Sequence, residues 1–341
     1  MKGVDGMSMK AWTMKEPGGL EQLVIEERPI PEPTEDEILV KVTATAVNRT
    51  DIITRENKEF EAPYPILGVE VSGVVEKESP NYPDLKKGTR VAGIVNRGGY
   101  AEYTVMPAGR AMVLPDSMSS IEGAAIPEVF LTAYQTMFWL GELKPQETVL
   151  IHAAGSGVGT AAIQLASRKI TDANIIATAG KQHKLEMARA LGADLTINYK
   201  KESFDEKVLE YTDGKGADVI LDFVGSSYWD MNLNSAAIDG RWILIGALGG
   251  SDIDNFSIGD IMSKRLSLKG TLLTPRSDDY KAELSQEFAK RIMPFFEEDI
   301  IQPIIHSVLS FEDLPEAHRQ MEANENTGKI VIDITDDDAA I

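Results

Sequence analysis

Residues 151–166 read IHAAGSGVGTAAIQLA. The apolar run TVLIHA enters this stretch. Beyond Gly157, the apolar positions Val158, Ala161, Ala162, Leu165 and Ala166 recur at helical spacing, so one helix face packs on a sheet. A tight strand-to-helix turn aims free backbone N–H groups and the positive helix end outward, which suits a pyrophosphate. Small side chains let the phosphates approach that backbone. The strict G-x-G-x-x-G spacing is absent: in the usual register the chain reads Ala154-x-Ser156-x-x-Gly159, with Gly155 and Gly157 between. A plain turn packing a helix on a strand would use the same residues.

The next unit adds chemistry. The strand NIIATA ends in TAGKQHK, at the point where NAD-type sites place an Asp or Glu for the ribose 2′-hydroxyl. No acid stands there; Gly180 is followed by Lys181, His183 and Lys184, and Tyr199 ends the following strand. A carboxylate repels a 2′-phosphate and lysines attract it, so the pattern favours NADPH over NADH. Solvated lysines at a helix start would read the same way. The candidate cofactor residues of this half are therefore Ala154, Gly155, Ser156, Gly157, Val158, Gly180, Lys184 and Tyr199.

Other chemistries are excluded by composition. The chain has no cysteine, which removes disulfides, thiolate zinc sites and cysteine nucleophiles and fits a reducing, cytoplasmic setting. His152, His183, His306 and His318 are scattered and match no metal spacing. Of these, only His152 ends a strand near the expected cofactor. The net charge of −20 argues against nucleic acid or an anionic membrane as partner. No apolar run reaches a membrane span, MKGVDGMSMK has no secretory h-region, and DITDDDAAI reads as a solvated tail.

The elements that must position these residues fall into two textures. The first third, with EILVKVTATAVN, GVEVSGVVEKE, TRVAGIV and GYAEYTVMP, reads as a compact, barrel-like β domain. SSIEGAAIPEVFLTAYQTMFWLG reads as one helix, with Ser at the N-cap and Gly141 near the stop. Strands and amphipathic helices then alternate through LSLKGTLLT, which predicts an α/β, doubly wound parallel sheet. The closing strand GKIVIDI is expected to rejoin the first domain.

IHAAGSGVGTAAIQLA, AAIPEVFLTAYQ, GGYAEYTVMP, LGVEVSGVV and NTGKIVI together resemble the zinc-independent quinone oxidoreductases of the medium-chain dehydrogenase/reductase superfamily, from about Met9 to Ile334. NYKKE, GSSYW, DGRW and AHRQMEANENTGKIV look most similar to the tumour-suppressor-inducible type. The resemblance implies a GroES-like β-barrel catalytic domain over 9–130 and 300–335 and a Rossmann NADPH-binding domain over 131–299. It also implies tails at 1–8 and 336–341, NADPH as cofactor, and a homodimer paired through LSLKGTLL. Zinc members of the superfamily carry Cys where this chain has Asn48, and His where it has Val69 beside Gly68 and Glu70.

Further site residues follow from the resemblance. Asn48 takes the family's polar position beside the nicotinamide, with a loop turn as the plainer role. Arg49 and Asp51 are expected to form an internal ion pair. The position of a quinone-facing tyrosine in some relatives is Ile53 here, so that role is vacant or passes to Phe60 or Tyr64, and both could equally pack the loop. Strand ends place Phe223 and Val224 at adenosine or ribose, Gly246 and Leu248 along the nicotinamide, and Leu272, Leu273 and Thr274 by its carboxamide. Thr132 matches a position near the nicotinamide; Tyr134 stays open between helix core and phosphate contact. Asn326 and Lys329 match positions that close over the adenosine end, or form a solvated turn. The implied reaction is metal-free hydride transfer to a quinone, a small-molecule acceptor whose oxyanion is delocalised. Reduction of α,β-unsaturated carbonyls or enoyl thioesters, or NADPH binding without turnover, remain open.

Overall fold

The structure is a computed structural model that describes residues 8–167, 171–254 and 256–335. Ser8, assigned above to a tail, opens the first strand; the rest of both tails lies outside the described residues. The chain divides into two compact units, residues 1–131 with 274–341, and residues 132–273. The second break therefore lies at Leu273/Thr274, not at 299/300.

The first unit begins with the hairpin β1 (Ser8–Met14) and β2 (Leu23–Pro29). Its main sheet contains β3 (Glu37–Ala46), β4 (Glu70–Lys77), β5 (Arg90–Ile94), β6 (Tyr103–Pro107) and β7 (Met112–Val113). It is completed by β14 (Ile305–Ser310) and β15 (Lys329–Asp333), in the order β14-β15-β3-β4-β5-β7, with β6 also paired to β3. The antiparallel register of β15 on β3, Val331 opposite Ala46, draws Lys329 back to the start of the chain. Alternating Ile38, Val40 and Val42 of β3 join Val71, Val75, Val91 and Ile332 in the core. Helix α1 (Arg49–Glu56) follows β3, and α2 (Ser120–Ala124) precedes the break between units.

The helix expected over residues 120–141 is broken. After α2 the chain restarts as α3 (Pro127–Tyr134), within which the unit boundary falls, and widens into a π-helical stretch over Gln135–Leu140. Pro127 has no N–H and disfavours helical backbone at Ile126, which explains the interruption.

The second unit is a parallel sheet of β8 (Thr148–Ile151), β9 (Asn174–Ala179), β10 (Leu195–Asn198), β11 (Ala217–Asp222), β12 (Ala236–Leu244) and β13 (Ser267–Gly270). The order β10-β9-β8-β11-β12-β13 is that of a dinucleotide-binding, doubly wound sheet, reversing between β8 and β11. Its helices are α4 (Gly157–Ala166), α5 (Gln182–Ala190), α6 (Phe204–Tyr211), α7 (Trp229–Ser235) and α8 (Ile258–Lys264). Leu150, Ile176, Ile197, Ile220 and Trp242 fill one side of the sheet with Phe204 and Trp229. Helix α4 is buried all round from Gly159 to Ala166, rather than on one face. Its small residues let backbone come close: a Cβ on Gly159 would lie 2.3 Å from the Ala153 carbonyl oxygen.

After Leu273 the chain returns to the first unit through α9 (Asp278–Glu297) and α10 (Leu314–Glu322). Helix α9 belongs there because Phe288 and Phe296 pack on Phe130, and Asp278 pairs with the buried Arg110.

Candidate functional site

In the second unit, Ser156 caps α4 by accepting the Gly159 N–H at 2.9 Å. Ala154 donates to the Thr178 carbonyl and Ser156 to the Ala153 carbonyl. The N–H groups of Gly155, Gly157 and Val158 have no acceptor among the described residues. These are the orphan donors of a helix start, and a buried glycine among them means that an acceptor is owed. The stem of Lys184 lies across this turn, so a Cβ on Gly155 would sit 2.5 Å from its Cδ. Burial, then the charge of Lys181, hold the Lys184 ammonium below its usual range, so an anion beside it would be favoured. At the tip of β9, a Cβ on Gly180 would meet the Tyr199 hydroxyl at 2.7 Å and Lys200 Cε at 2.8 Å. The free N–H groups and Lys184 thus form a cradle at the start of α4, while Gly180, Tyr199 and Lys200 stand together at the end of β9.

The loops after β11 and β12 also meet. Leu248 donates its N–H to the Phe223 carbonyl at 3.2 Å, Gly249 to that of Val224 at 2.7 Å, and a Cβ on Gly246 would touch the Phe223 oxygen at 3.0 Å. Phe223 is buried and Leu248 exposed. Leu272 is exposed while Leu273 is buried. Thr132 is buried with its carbonyl taken by the Thr136 hydroxyl, and Tyr134 is buried with its ring edge-on to Phe138.

His152 is not a cofactor ligand. Nδ1 meets the Thr178 hydroxyl at 2.8 Å and Nε2 the Asn232 Oδ1 at 2.6 Å. Asn232 donates its own amide to Asp222, so its Oδ1 accepts and His152 Nε2 carries the hydrogen. Burial holds the ring neutral.

In the first unit, Asn48 is engaged by protein partners. It is buried, gives Nδ2–H to Glu70 Oε1 at 2.7 Å, and takes the Lys329 ammonium on Oδ1 at 2.6 Å. Lys329 also donates to the Val47 carbonyl at 3.1 Å and to Glu70 at 2.7 Å. This corrects the adenosine role read for Lys329: its donors are spent inside the β3–β15 seam. Asn326 is buried as well and bonds the Gly328 carbonyl of its own turn, so it does not lie in solvent. Arg49 and Asp51 are not paired. Arg49 donates to the Met321 carbonyl and Asn324, while Asp51 Oδ2 accepts the Asn48 N–H at 2.8 Å and the Tyr100 hydroxyl at 2.7 Å.

Asp51 lines a cavity of about 510 Å³ with Thr54, Gly68, Val69, Asn96, Arg97 and Thr274. Its Oδ1 carries no hydrogen bond among the described residues. Burial raises its pKa to about 7, against the lowering effect of the Tyr100 and Asn48 hydrogen bonds and the Lys329 charge. The cavity thus holds an acid able to give up a proton near neutrality. Arg97 stands over the Phe60 ring, 4.5 Å from its centroid. Phe60 therefore touches a cavity residue, whereas Tyr64 contributes its carbonyl to Thr13 and Arg28 and is not among the cavity's walls. Asp51, Thr54, Tyr100, Asn96 and Arg97 were missed from the sequence. The Asn48–Asp51 spacing of a helix start was the one available signal.

Known proteins match this arrangement. The alcohol dehydrogenase GroES-like domain family matches residues 34–116, and the zinc-binding dehydrogenase family residues 157–290. The quinone oxidoreductase of Lama guanicoe is 30% identical over 331 residues, covering 95% of this chain and 97% of that protein. The chain belongs to the medium-chain dehydrogenase/reductase superfamily. Among solved structures of this oxidoreductase superfamily, an NAD-dependent alcohol dehydrogenase is 32% identical, with TM-score 0.85, over 96% of this chain and 100% of that one. An Escherichia coli quinone oxidoreductase complexed with NADPH is 27% identical, with TM-score 0.85, over 95% of this chain and 100% of that one.

One superfamily description names zinc, and the residues do not fit it. Val69 offers no donor atom. Asn48 Oδ1 holds an ammonium; Glu70 Oε1 serves Asn48 and Lys329, and its Oε2 takes the Glu128 N–H at 2.8 Å. Among the described residues no three His, Cys, Asp or Glu converge on a metal position. No helix among them is long and apolar enough to cross a membrane.

Proposed function

We propose that this chain is an NADPH-dependent quinone oxidoreductase working without a metal. The observation that carries the reading is the cradle at α4: unpaired N–H groups at Gly155, Gly157 and Val158 with Lys184 across them. Those donors hold the pyrophosphate, and Lys184, Lys200 and the Tyr199 hydroxyl hold the 2′-phosphate. The NAD-type carboxylate is missing after β9, which separates this reading from that of the NAD-dependent relative. Similarity to the guanaco and Escherichia coli quinone oxidoreductases supports a quinone as acceptor.

When bound, NADPH supplies the hydride to the conjugated acceptor, leaving charge on the acceptor's oxygen. The acceptor occupies the first unit's cavity. Asp51 gives the proton: its Oδ1–H bond breaks, the acceptor oxygen gains the hydrogen, and the carboxylate is reprotonated from water. Asn48 and Tyr100 fix the carboxyl through Oδ2. The same residues serve conjugate reduction of α,β-unsaturated carbonyls.

Two copies are proposed to meet at the β13 edge, near which Ile258, Met262 and Leu272 stand exposed. Sedimentation should then give twice the chain mass. The function is tested by steady-state turnover of 1,2-naphthoquinone with NADPH, alongside calorimetry of NADPH binding. Turnover supports the reading, whereas tight binding with no turnover of quinone or enone makes the chain a nucleotide-binding protein instead.

A further inference from the structure

We propose that the cavity of the first unit selects acceptors carrying an oxyanion, such as a carboxylate or sulfonate, and that Arg97, backed by Lys281, binds that group. This rests on the quinone reading above and names its substrate class.

Arg97 and Lys281, like Arg49, Arg90 and Arg189, pair with no acid among the described residues; what sets these two apart is their place at one cavity. Acids outnumber lysine and arginine by 54 to 34, so a basic group here has acids in excess to pair with. Arg55, Arg110, Arg241, Arg265 and Arg319 all do so. Arg97 lines the cavity and has no carboxylate within 4.0 Å among the described residues. Its guanidinium face is stacked on Phe60 at 4.5 Å, which fixes the plane but uses none of its in-plane N–H donors. Those donors match the two oxygens of a carboxylate or sulfonate.

Behind this wall lies Lys281, 3% exposed, which also has no carboxylate within 4.0 Å among the described residues. Its ammonium is held by the Asn96 Oδ1 at 3.1 Å and the Thr274 carbonyl at 3.0 Å, and both of those residues line the cavity. A buried ammonium with only neutral oxygens is costly, and an anion lodged beyond Asn96 and Thr274 lowers that cost. The nearby Arg110 adds a like charge, offset by Asp278. The cavity's one acid, Asp51, is half neutral near pH 7. One full positive charge, Arg97, thus lines the cavity against a half-ionised Asp51, with the Lys281 ammonium behind Asn96 and Thr274.

The test compares 1,2-naphthoquinone with 1,2-naphthoquinone-4-sulfonate, with NADPH as donor, in wild type, Arg97→Gln, Arg97→Lys and Lys281→Met. The sulfonate also makes the ring more electrophilic, so the deciding quantity is how the kcat/KM ratio of the two quinones changes with the variant. Arg97→Gln should lower the sulfonate-to-neutral ratio about tenfold, Arg97→Lys should restore part of it, and Lys281→Met should lower it several-fold. The wild-type ratio should also fall with added salt, because the mouth of the cavity is exposed. Equal fractional losses on both quinones in Arg97→Gln would overturn the inference. If neither quinone turns over, the quinone reading fails instead. Equilibrium binding of the sulfonated quinone to wild type and Arg97→Gln then decides the anion site: tenfold weaker binding to the variant supports it, and equal binding ends it.

Discussion

The ammonium of Lys329 lies 2.7 Å from Oε1 of Glu70, both side chains are sealed from solvent, and 259 residues separate them in sequence. The pair fastens β15 to the loop between β3 and α1, because Lys329 also holds the Val47 carbonyl and Asn48. Lys329→Met leaves Glu70 buried and uncompensated, so it should cost roughly 3–5 kcal/mol of stability. Urea unfolding of the first unit's transition checks this. A loss below ~1 kcal/mol would mean that water reaches Glu70.

The proton held by Asp51 should appear in the pH profile. Its folded pKa, about 7, is raised by burial, so the acid is protonated below neutrality and is lost as pH rises through 7. The kcat for quinone reduction should fall along that limb. Groups facing the carboxyl are Tyr100 and Asn48, which donate to it, and Lys329 and Glu70, whose charges oppose one another. Tyr100→Phe removes a hydrogen bond that lowers the pKa, so the limb should move to higher pH. Asp51→Asn should lose the limb altogether. An unchanged limb in both variants would assign it to another group.

His318 should make the first unit acid-sensitive. Its Nδ1 faces the guanidinium of Arg55 at 3.2 Å, its Nε2 is buried without a partner among the described residues, and burial with the Arg55 charge lowers its pKa to about 3. Between the ordinary value of 6.5 and about 3 the unfolded chain binds more protons than the folded one, so stability falls as pH falls. From pH 7 to 4.5 the loss is on the order of 2–3 kcal/mol. Asp51 opposes it, since its raised pKa favours the folded state as pH falls. The measurement is therefore a difference: denaturant midpoints of wild type and His318→Gln at both pH values. The variant should lack the acid-side loss, and parallel curves would remove His318 from the account.

How much of this was legible in the sequence depends on how locally each feature is encoded. The turn at 153–159 and the helix start after Gly180 were readable, because strand, turn and helix start are consecutive and each has its own pattern. The Arg49–Asp51 pairing was misread because residues two apart on a helix do not face each other. Asp51 instead meets Tyr100, 49 residues away, and no periodicity announces that. Lys329 was read as closing over the adenosine end, or as a solvated turn, because its burial depends on the β15–β3 register, which brings it against Asn48, 281 residues away in sequence. Helix α9 looked like part of the second unit by position, but its phenylalanines fit the hollow around Phe130.

Lys184 offers the sharpest check on the nucleotide. Its stem covers Gly155, and its ammonium is held below its usual range by burial and Lys181. A 2′-phosphate would relieve both effects, while the 2′-hydroxyl of NADH gains little from a cation. Lys184→Ala should therefore weaken NADPH binding by at least tenfold and NADH binding by less than twofold, and the NADPH loss should shrink with added salt. Fluorescence titration of both reduced nucleotides measures the ratio. Equal weakening of the two would mean that Lys184 supports the turn over Gly155 rather than the phosphate. The cradle would then hold a pyrophosphate without discriminating between the coenzymes.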